Sequence, residues 1–202
     1  MKPVDLTLKG LEPVPTPWNS DMLKGMMISS ELIQKRVGEL ADEIDRSMPD
    51  DKPVVVLSLL SGAFLFTADL VRHWRFSIEL DFMGVSSYGK NVASGELSWT
   101  HPMQIDLKEK HVLVIDDILD TGQTLRKVTD KLHLSQPASL RTCVLLRKER
   151  QQPSEHSVNA DFVGFFIPDQ FVVGYGLDFA LQFRQLPFIG VLDAHAPHTA
   201  ND

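Results

Sequence analysis

Two adjacent acids and a small polar loop follow a short apolar run in the middle of the chain. The run from Val112 to Ile115 predicts a buried strand, and Asp116 and Asp117 stand at its C-terminal end. After two more apolar residues comes the loop from Asp120 to Thr124, which is small and polar. Carboxylates at the end of a strand can accept hydrogen bonds from hydroxyl groups or bind a cation, so this stretch is the first candidate site.

The residues after this loop predict a helix. Leu125, Val128 and Leu132 recur on one face at helical spacing. A strand that runs through a glycine-containing turn into a helix binds phosphate in many α/β folds. The loop N–H groups and the positive end of the helix dipole both face the ligand.

The acids restrict what else that ligand carries. A carboxylate repels a phosphate, so Asp116 and Asp117 require a hydrogen-bond donor or a cation. A molecule with a phosphate at one end and vicinal hydroxyls in its middle is a ribose 5-phosphate. The alternative from periodicity alone is a strand that ends in solvated acids before an ordinary helix.

The stretch from Val112 to Thr124 resembles the phosphoribosyl diphosphate motif of type I phosphoribosyltransferases. That motif has two acids, two apolar residues and then Asp-Thr-Gly-x-Thr, all in this register. The resemblance implies that Asp116 and Asp117 hold the ribose hydroxyls. It also implies that the side chain of Asp120 acts as general base or acid at the purine N7. The residues that would cradle the 5-phosphate are Asp120, Thr121, Gly122, Gln123 and Thr124.

A second resemblance lies near the C-terminus. The stretch from Val173 to Asp178 and the stretch from Arg184 to Gly190 are similar to the C-terminal signature of hypoxanthine-guanine phosphoribosyltransferases. The resemblance implies that Asp178 contacts Mg²⁺ together with Asp116 and Asp117. It implies that Arg184 contacts the diphosphate, whose growing negative charge needs a metal and a cation. The alternative is an Asp and an Arg at the surface.

Ser61 and Gly62 follow a predicted strand at the sheet edge where a ligand would bind. In the related enzymes the corresponding short loop binds diphosphate through backbone N–H groups, and 6-oxopurine members often have a basic residue before the glycine. The chain has Ser61 there, so the resemblance supports backbone binding only. An ordinary strand-to-helix turn is the alternative.

A segment without periodicity runs from Gly84 to about Pro102, and Ser87 and Tyr88 lie near its start. They are similar to the Ser-Tyr pair of the family's mobile lid. Loss of diphosphate leaves an electron-poor sugar that water would trap, so a lid has a chemical purpose. A surface loop without function is the alternative.

Lys148, Phe171 and Val172 resemble the base pocket of the 6-oxopurine branch, with Asp178 nearby. A lysine donates to an exocyclic oxygen and is mismatched to an amino group. An aromatic ring stacks on the purine, and Val172 would act through its backbone. A solvated charge run around Lys148 and a core position for Phe171 are the alternatives.

Composition bounds the class of protein. The chain has 202 residues, 43% of them hydrophobic, 23% charged, and a net charge of −7. It contains no apolar run of membrane-spanning length and no signal-peptide core. Cys143 is the single cysteine, so an internal disulfide is excluded. These features favour the cytoplasm and argue against membrane binding and broad nucleic-acid binding. The seven histidines form no convincing metal set.

The order of predicted elements indicates a single α/β domain over residues 1–202. Residues 1–20 hold four prolines and predict an irregular arm, and residues 193–202 a loose tail. A helix is expected from Ser29 or Ser30, and another over Ala63 to Trp74. Strands are expected at Val54 to Leu60, Phe76 to Phe82, Leu140 to Leu146, Phe162 to Ile167, Phe171 to Val173 and Phe188 to Leu192. The expected fold is a parallel twisted sheet flanked by helices, the type I phosphoribosyltransferase fold, with a small hood from the C-terminal strands.

The resemblance implies a purine salvage enzyme that uses Mg²⁺. It would join hypoxanthine and/or guanine to 5-phospho-α-D-ribose 1-diphosphate, forming IMP or GMP and diphosphate. By analogy we expect a homodimer or homotetramer. Three alternatives stay open: an adenine- or xanthine-preferring transferase, a nucleic-acid-binding regulator on the same fold, and a non-catalytic interaction protein.

Overall fold

The computed structural model describes residues 2–49, 52–86, 98–101, 103–149 and 158–193. The helices in these ranges are α1 (Ser30–Asp45), α2 (Phe64–Val71) and α3 (Gln123–His133). The strands are β1 (Val4–Asp5), β2 (Leu23–Ile28), β3 (Val54–Leu60), β4 (Ile78–Ser86), β5 (Ser98–His101), β6 (His111–Leu119), β7 (Ser139–Glu149), β8 (Phe162–Pro168), β9 (Val172–Val173) and β10 (Ile189–Leu192).

Seven strands form the main sheet, in the order β1-β8-β7-β6-β3-β4-β5. All neighbouring pairs are parallel except β4 and β5. Strands β2, β10 and β9 form a separate antiparallel sheet, which we call the hood. The predicted parallel α/β fold is confirmed, with the correction that β2 of the hood comes from the N-terminal part of the chain.

The main sheet is covered on both faces, which explains why β3 is almost entirely apolar. Val54 and Val56 belong to the core cluster that contains the buried side chains of α1 and α2. Val55 and Leu57 point the other way, into the cluster formed with α3. Because successive strand residues face opposite sides, a strand covered on both faces is apolar on both. The polar residue of β3, Ser58, is buried and its hydroxyl shares a hydrogen bond with the Thr67 hydroxyl at 2.8 Å.

Helix α1 begins where the sequence predicts. Ser29 is its N-cap and accepts a hydrogen bond from the Leu32 N–H at 3.3 Å. Arg36 on this helix is 1% exposed and donates to the carbonyls of Gly164 at 2.9 Å and Val163 at 3.0 Å, which attaches α1 to β8. The apolar face of this helix is buried in full: Ile33, Val37, Leu40, Ala41 and Ile44.

The prediction of an irregular arm is wrong in part. Val4–Asp5 adds a strand beside β8, and Leu6 is buried in the core. Glu12 forms an antiparallel bridge with Met26 of β2. These short pairings connect residues far apart in sequence, so no local periodicity announces them.

Four predicted boundaries are also corrected. Strand β6 continues to Leu119, so the two acids lie inside it, and β7 continues to Glu149. The predicted loop from Gly84 is occupied by strand at both ends, since β4 reaches Ser86 and β5 begins at Ser98.

Among the described residues, no helix combines the length and apolar character that crossing a bilayer requires. The predicted tail lies outside the described residues beyond Asp193.

Candidate active site

A cavity of about 270 Å³ lies between the ends of β3 and β6 and the start of α3. Leu59, Leu60 and Gly62 line one side, and residues between Asp116 and Leu125 line the other. We call this space the motif cavity. It places the predicted acids and the predicted phosphate loop around one volume.

The loop turns into α3 at Gly122. This glycine is the N-cap of the helix and has φ of +80°, a conformation that L side chains rarely adopt. The Gly122 carbonyl accepts the Arg126 N–H at 2.9 Å, which is the first helical hydrogen bond. The N–H groups of the first turn have no carbonyl four residues earlier to donate to, so they and the helix dipole favour an anion.

Asp116 and Asp117 are half-buried and adjacent. The Asp117 N–H donates to Asp116 Oδ1 at 3.0 Å, and the Ile118 N–H donates to Asp117 Oδ1 at 2.7 Å. Burial raises the pKa of both carboxyls, and the neighbouring Asp117 charge raises that of Asp116 further. The Arg184 guanidinium opposes the rise of the Asp117 pKa. This pair is therefore best satisfied by hydroxyl donors or a cation.

Two glycines let three segments meet beside these acids. A Cβ on Gly62 would overlap the Asp117 carboxylate, and a Cβ on Gly176 would overlap the Gly62 carbonyl oxygen. The Leu60–Ser61 peptide bond is cis. Ser61 is exposed while its neighbours Leu60 and Gly62 line the motif cavity. This arrangement fits a role for the backbone of the turn and not for the Ser61 side chain.

A second cavity of about 200 Å³ adjoins the first, and we call it the hood cavity. Asp117, Ile118 and Asp120 line both cavities. Lys148 enters from the end of β7. The remaining lining comes from the chain at and after β9: Phe171, Val172, Leu177 and Asp178.

Lys148 is held between two carboxylates. Its side chain is 10% exposed, and its Nζ lies 3.2 Å from Asp120 Oδ2 and 3.4 Å from Asp169 Oδ1. A solvated charge run, the alternative from the sequence, does not describe this residue. Asp169 is a residue that the sequence reasoning missed, although it stands in the turn directly before Phe171.

Phe171 is 51% exposed and lines the hood cavity, so the alternative of a core position is wrong. Its ring meets the Phe179 ring edge to face, with centroids 5.7 Å apart. Val172 is buried and pairs with Val191 in the hood sheet. An exposed ring directly before a buried strand provides a flat surface on which a planar ligand can stack.

Asp178 and Arg184 form an ion pair, with Arg184 Nη2 2.8 Å from Asp178 Oδ1. Arg184 Nη1 also donates to the Gly176 carbonyl at 2.6 Å, and Asp178 Oδ2 accepts the Leu181 N–H at 2.8 Å. These contacts hold both side chains in place. Because Gly176 packs against Gly62, they also hold the pair next to the Gly62 turn.

The structure thus brings most predicted site residues to two adjoining cavities. Gln123 is exposed at the start of α3, outside the lining of the motif cavity. Ser87 and Tyr88 lie outside the described residues. Within the described part of the chain, no group of three or more His, Cys, Asp or Glu residues is arranged to hold a metal ion by itself.

Comparison with known proteins agrees with this geometry. The family model described as phosphoribosyl transferase domain matches residues 27–180. The chain is 44% identical to the hypoxanthine-guanine phosphoribosyltransferase of Aquifex aeolicus (strain VF5) over 169 residues, which cover 83% of this chain and 94% of the relative. It is 42% identical to the hypoxanthine phosphoribosyltransferase of Escherichia coli (strain K12), covering 82% and 93%.

A solved structure is similar as well. The hypoxanthine-guanine phosphoribosyltransferase of Bacillus anthracis, crystallised with a HEPES molecule in its active site, superposes with a TM-score of 0.78 at 37% identity. The match covers 85% of this chain and 99% of that one. With the motif, the fold and both cavities in agreement, the chain belongs to the phosphoribosyltransferase domain family.

Proposed function

We propose that this enzyme transfers the 5-phosphoribosyl group of 5-phospho-α-D-ribose 1-diphosphate to a 6-oxopurine. The observation that carries the proposal is the position of Asp120, which lines both cavities and lies 3.2 Å from Lys148. A ribose 5-phosphate in the motif cavity and a purine in the hood cavity would meet beside this carboxylate.

The chemistry follows from that arrangement. The bond between C1′ and the diphosphate oxygen breaks, and the purine N9 forms a bond to C1′. The purine becomes electron-poor as N9 reacts, and Asp120 accepts the proton that N7 releases. The first-turn N–H groups of α3 hold the 5-phosphate, with Thr121, Gly122, Gln123 and Thr124 forming the loop, while Asp116 and Asp117 accept hydrogen bonds from the ribose hydroxyls.

The diphosphate lies on the other side of the sugar. The Ser61-Gly62 backbone and Arg184 would bind it, and Arg184 offers paired donors to its oxygens. Arg184 already has a carboxylate partner in Asp178, so the two residues act as one preoriented unit. Ser87 and Tyr88 would close over this side as a lid.

The donor set fits Mg²⁺ held in part by substrate oxygens. Mg²⁺ is usually bound by one or two protein carboxylates together with phosphates and water, and not by a protein cage. Asp178, Asp116 and Asp117 are the carboxylates available. Burial, and after it the neighbouring Asp117 charge, raises the pKa of Asp116, and a bound cation would oppose both effects. When bound, the metal neutralises charge on the diphosphate.

The base is selected in the hood cavity. Lys148 has only donors, so it matches the oxygen of a 6-oxopurine and not the amino group of adenine. Phe171 would stack on the ring, and the backbone of Val172 with Asp178 would contact the remaining edge. We place hypoxanthine and/or guanine in this cavity, as the names of the two relatives suggest.

We also propose that the enzyme works in the cytoplasm as a homodimer or homotetramer. The free thiol of buried Cys143 suits a reducing compartment. Leu80 on β4 and Phe64 on α2 are each 39% exposed, and a second copy that covered them would remove apolar surface from water.

A spectrophotometric assay with Mg²⁺ and the sugar diphosphate tests the proposal. Hypoxanthine, guanine, xanthine, adenine and uracil are compared as acceptors. We expect turnover with hypoxanthine, guanine or both, and none with adenine or uracil. Turnover with adenine alone, or no product with any purine, would overturn the proposal.

A further inference from the structure

A partly buried hydrogen bond connects the Val173 to Asp178 segment to α2. Tyr175 is 5% exposed, and its hydroxyl donates to Asp69 Oδ2 at 2.6 Å. Gln34 of α1 donates to the same oxygen at 2.8 Å. Burial raises the pKa of the Tyr175 phenol, so it stays a donor throughout the physiological range.

The loop that carries Tyr175 has an unusual backbone. Gly174, Tyr175 and Gly176 have φ of +102°, +49° and +101°. Positive φ at a tyrosine is uncommon, so contacts around the side chain must hold it there. The hydrogen bond to Asp69 is one of those contacts, together with the Tyr175 N–H, which donates to the Leu186 carbonyl at 2.8 Å.

The residue after Tyr175 reaches the candidate diphosphate site directly. Gly176 packs so closely on the Gly62 carbonyl that a Cβ has no room between them. Its own carbonyl accepts from Arg184 Nη1 at 2.6 Å, and its N–H donates to the Arg184 carbonyl at 3.0 Å. The place of Arg184 is therefore set through Gly176, one residue from Tyr175.

Asp69 completes the connection from the other end. It lies on α2, the helix that follows the Ser61-Gly62 turn. The hydrogen bond consequently joins the helix after the turn to the loop that carries Asp178 toward Arg184, and the two segments touch at Gly62 and Gly176.

We propose that Tyr175 and Asp69 are positioning residues for the diphosphate half of the reaction. Neither touches a substrate. Their hydrogen bond holds Gly176 against Gly62 and thereby sets Arg184, whose Nη1 donates to the Gly176 carbonyl, for the leaving group. This inference rests on the proposed function, because it assigns the diphosphate to Arg184.

The proposal separates two kinds of ligand. The sugar diphosphate needs Arg184 and the Gly62 turn, whereas a nucleoside monophosphate needs only the α3 loop, the acids and the hood cavity. A residue that merely stabilises the fold would affect both ligands alike. A positioning residue on the diphosphate side affects the first and spares the second.

The test measures the full-length enzyme in four variants. Tyr175→Phe keeps the buried ring and removes the hydroxyl, while Asp69→Ala removes the acceptor and leaves the tyrosine intact. Asp69→Asn retains an oxygen acceptor for the Tyr175 hydroxyl and is the conservative variant. Arg72→Ala is the matched control, since Arg72 is 78% exposed and contacts the same Asp69 at 3.7 Å.

We expect KM for the sugar diphosphate to rise about five- to tenfold in Tyr175→Phe and Asp69→Ala, as for one lost hydrogen bond. The Kd for IMP, measured by calorimetry, should change less than about twofold. The two variants should behave alike because both remove the Tyr175 hydrogen bond, and the Gln34 and Arg72 contacts that Asp69→Ala also removes lie at the exposed side of Asp69. Asp69→Asn and Arg72→Ala should resemble the wild type.

Equal losses for IMP and the sugar diphosphate, whether from misfolding or from a general loss of order, would overturn the inference. An unchanged KM in both variants would overturn it as well. Arg184→Ala tests the proposed diphosphate site separately from the positioning role of Tyr175 and Asp69. If Arg184→Ala leaves KM for the sugar diphosphate unchanged, the proposed diphosphate site itself is wrong; if it raises that KM while Tyr175→Phe does not, only the positioning role fails.

Discussion

The two cavities differ in how the chain builds them. The motif cavity is formed mainly by one continuous stretch, from Asp116 to Leu125, on a central strand and the helix that follows it. The hood cavity combines the same stretch with the end of β7 and with residues at and after β9. Its lining therefore spans two sheets.

This difference separates two tasks. The motif cavity is bounded by a central strand and a helix start, whose backbone groups are held in place by the sheet and the helix. A cavity of this kind suits the part of the ligand that all substrates share. The hood cavity is bounded by side chains from separate elements. Under the proposed function, a change in one of them would alter the preferred base without moving the phosphate loop. Fold families vary function through such sites.

The first prediction addresses the point where the cavities meet. Asp120→Asn removes the proton acceptor at nearly constant shape, so kcat should fall by about 10²- to 10⁴-fold. The Kd for IMP should change little. Asp130→Asn, an exposed position on α3 with a 70% exposed side chain, is the control and should keep wild-type turnover. Steady-state kinetics with intact folding measures both, and wild-type kcat in Asp120→Asn would remove the acid-base role.

The second prediction concerns the hood cavity alone. Lys148→Met keeps the length of the side chain and removes its charge and donors. KM for the 6-oxopurine should rise by about 10- to 100-fold, as for a lost hydrogen bond from a charged group. KM for the sugar diphosphate should stay within about twofold if the cavities are independent.

Arg147→Met is the matched control, because Arg147 neighbours Lys148 on β7 but contacts Asn159 and the Phe166 ring. A parallel rise of both KM values in Lys148→Met would contradict the separation of the cavities.

The third prediction concerns the motif cavity. Gly62→Ala places a methyl group into the Asp117 carboxylate, and the overlap should lower the free energy of unfolding by about 1–3 kcal/mol. It should also raise KM for the sugar diphosphate. Gly38→Ala on α1 has its nearest neighbour at 3.7 Å and should instead stabilise by about 0.5–1 kcal/mol. Denaturant unfolding compares the two, and equal effects would refute the close contact at Gly62.

The smallest expected effect is that of Asp116→Asn, which should stabilise the protein by an amount that grows with pH. The folded-state pKa of Asp116 is raised, so ionising this carboxyl opposes folding, and the penalty grows as pH rises above the ordinary pKa of an aspartate. Asp116→Asn should therefore stabilise the protein by about 0.5–2 kcal/mol at neutral pH, and less as pH falls. Thermal unfolding between pH 5 and pH 8, about the range of maximal stability, measures it. A gain that is independent of pH would contradict the assigned cause.

Much of the motif cavity was predictable because its signals are local. The spacing of Leu125, Val128 and Leu132 gives the buried face of α3, and the continuous apolar run gives β3. The same reasoning failed where pairing is distant. Strand β2 owes its place to β10, more than 150 residues later, and carries no alternation that marks it as a strand.

Prediction of functional residues in and near the hood cavity is limited in the same way. Lys148, Phe171 and Asp178 were predicted through the resemblance, while Asp169 and Tyr175 were not singled out. Their roles depend on which side chains approach them in space, and a partner 106 residues away, such as Asp69 for Tyr175, leaves no trace in local spacing. Leu80 lies in the strand predicted at Phe76 to Phe82, yet it is 39% exposed, so a strand prediction does not give the burial of each residue.

The pairing of β1 with β8 has a practical side for anyone who shortens the chain. The family match begins at residue 27, after β1 and after Glu12. Trimming to that boundary would strip β8 of its outer neighbour and would remove most of β2 (Leu23–Ile28) from the hood. A bare outermost strand is a site for self-association, so expression of a minimal domain calls for keeping the first two dozen residues.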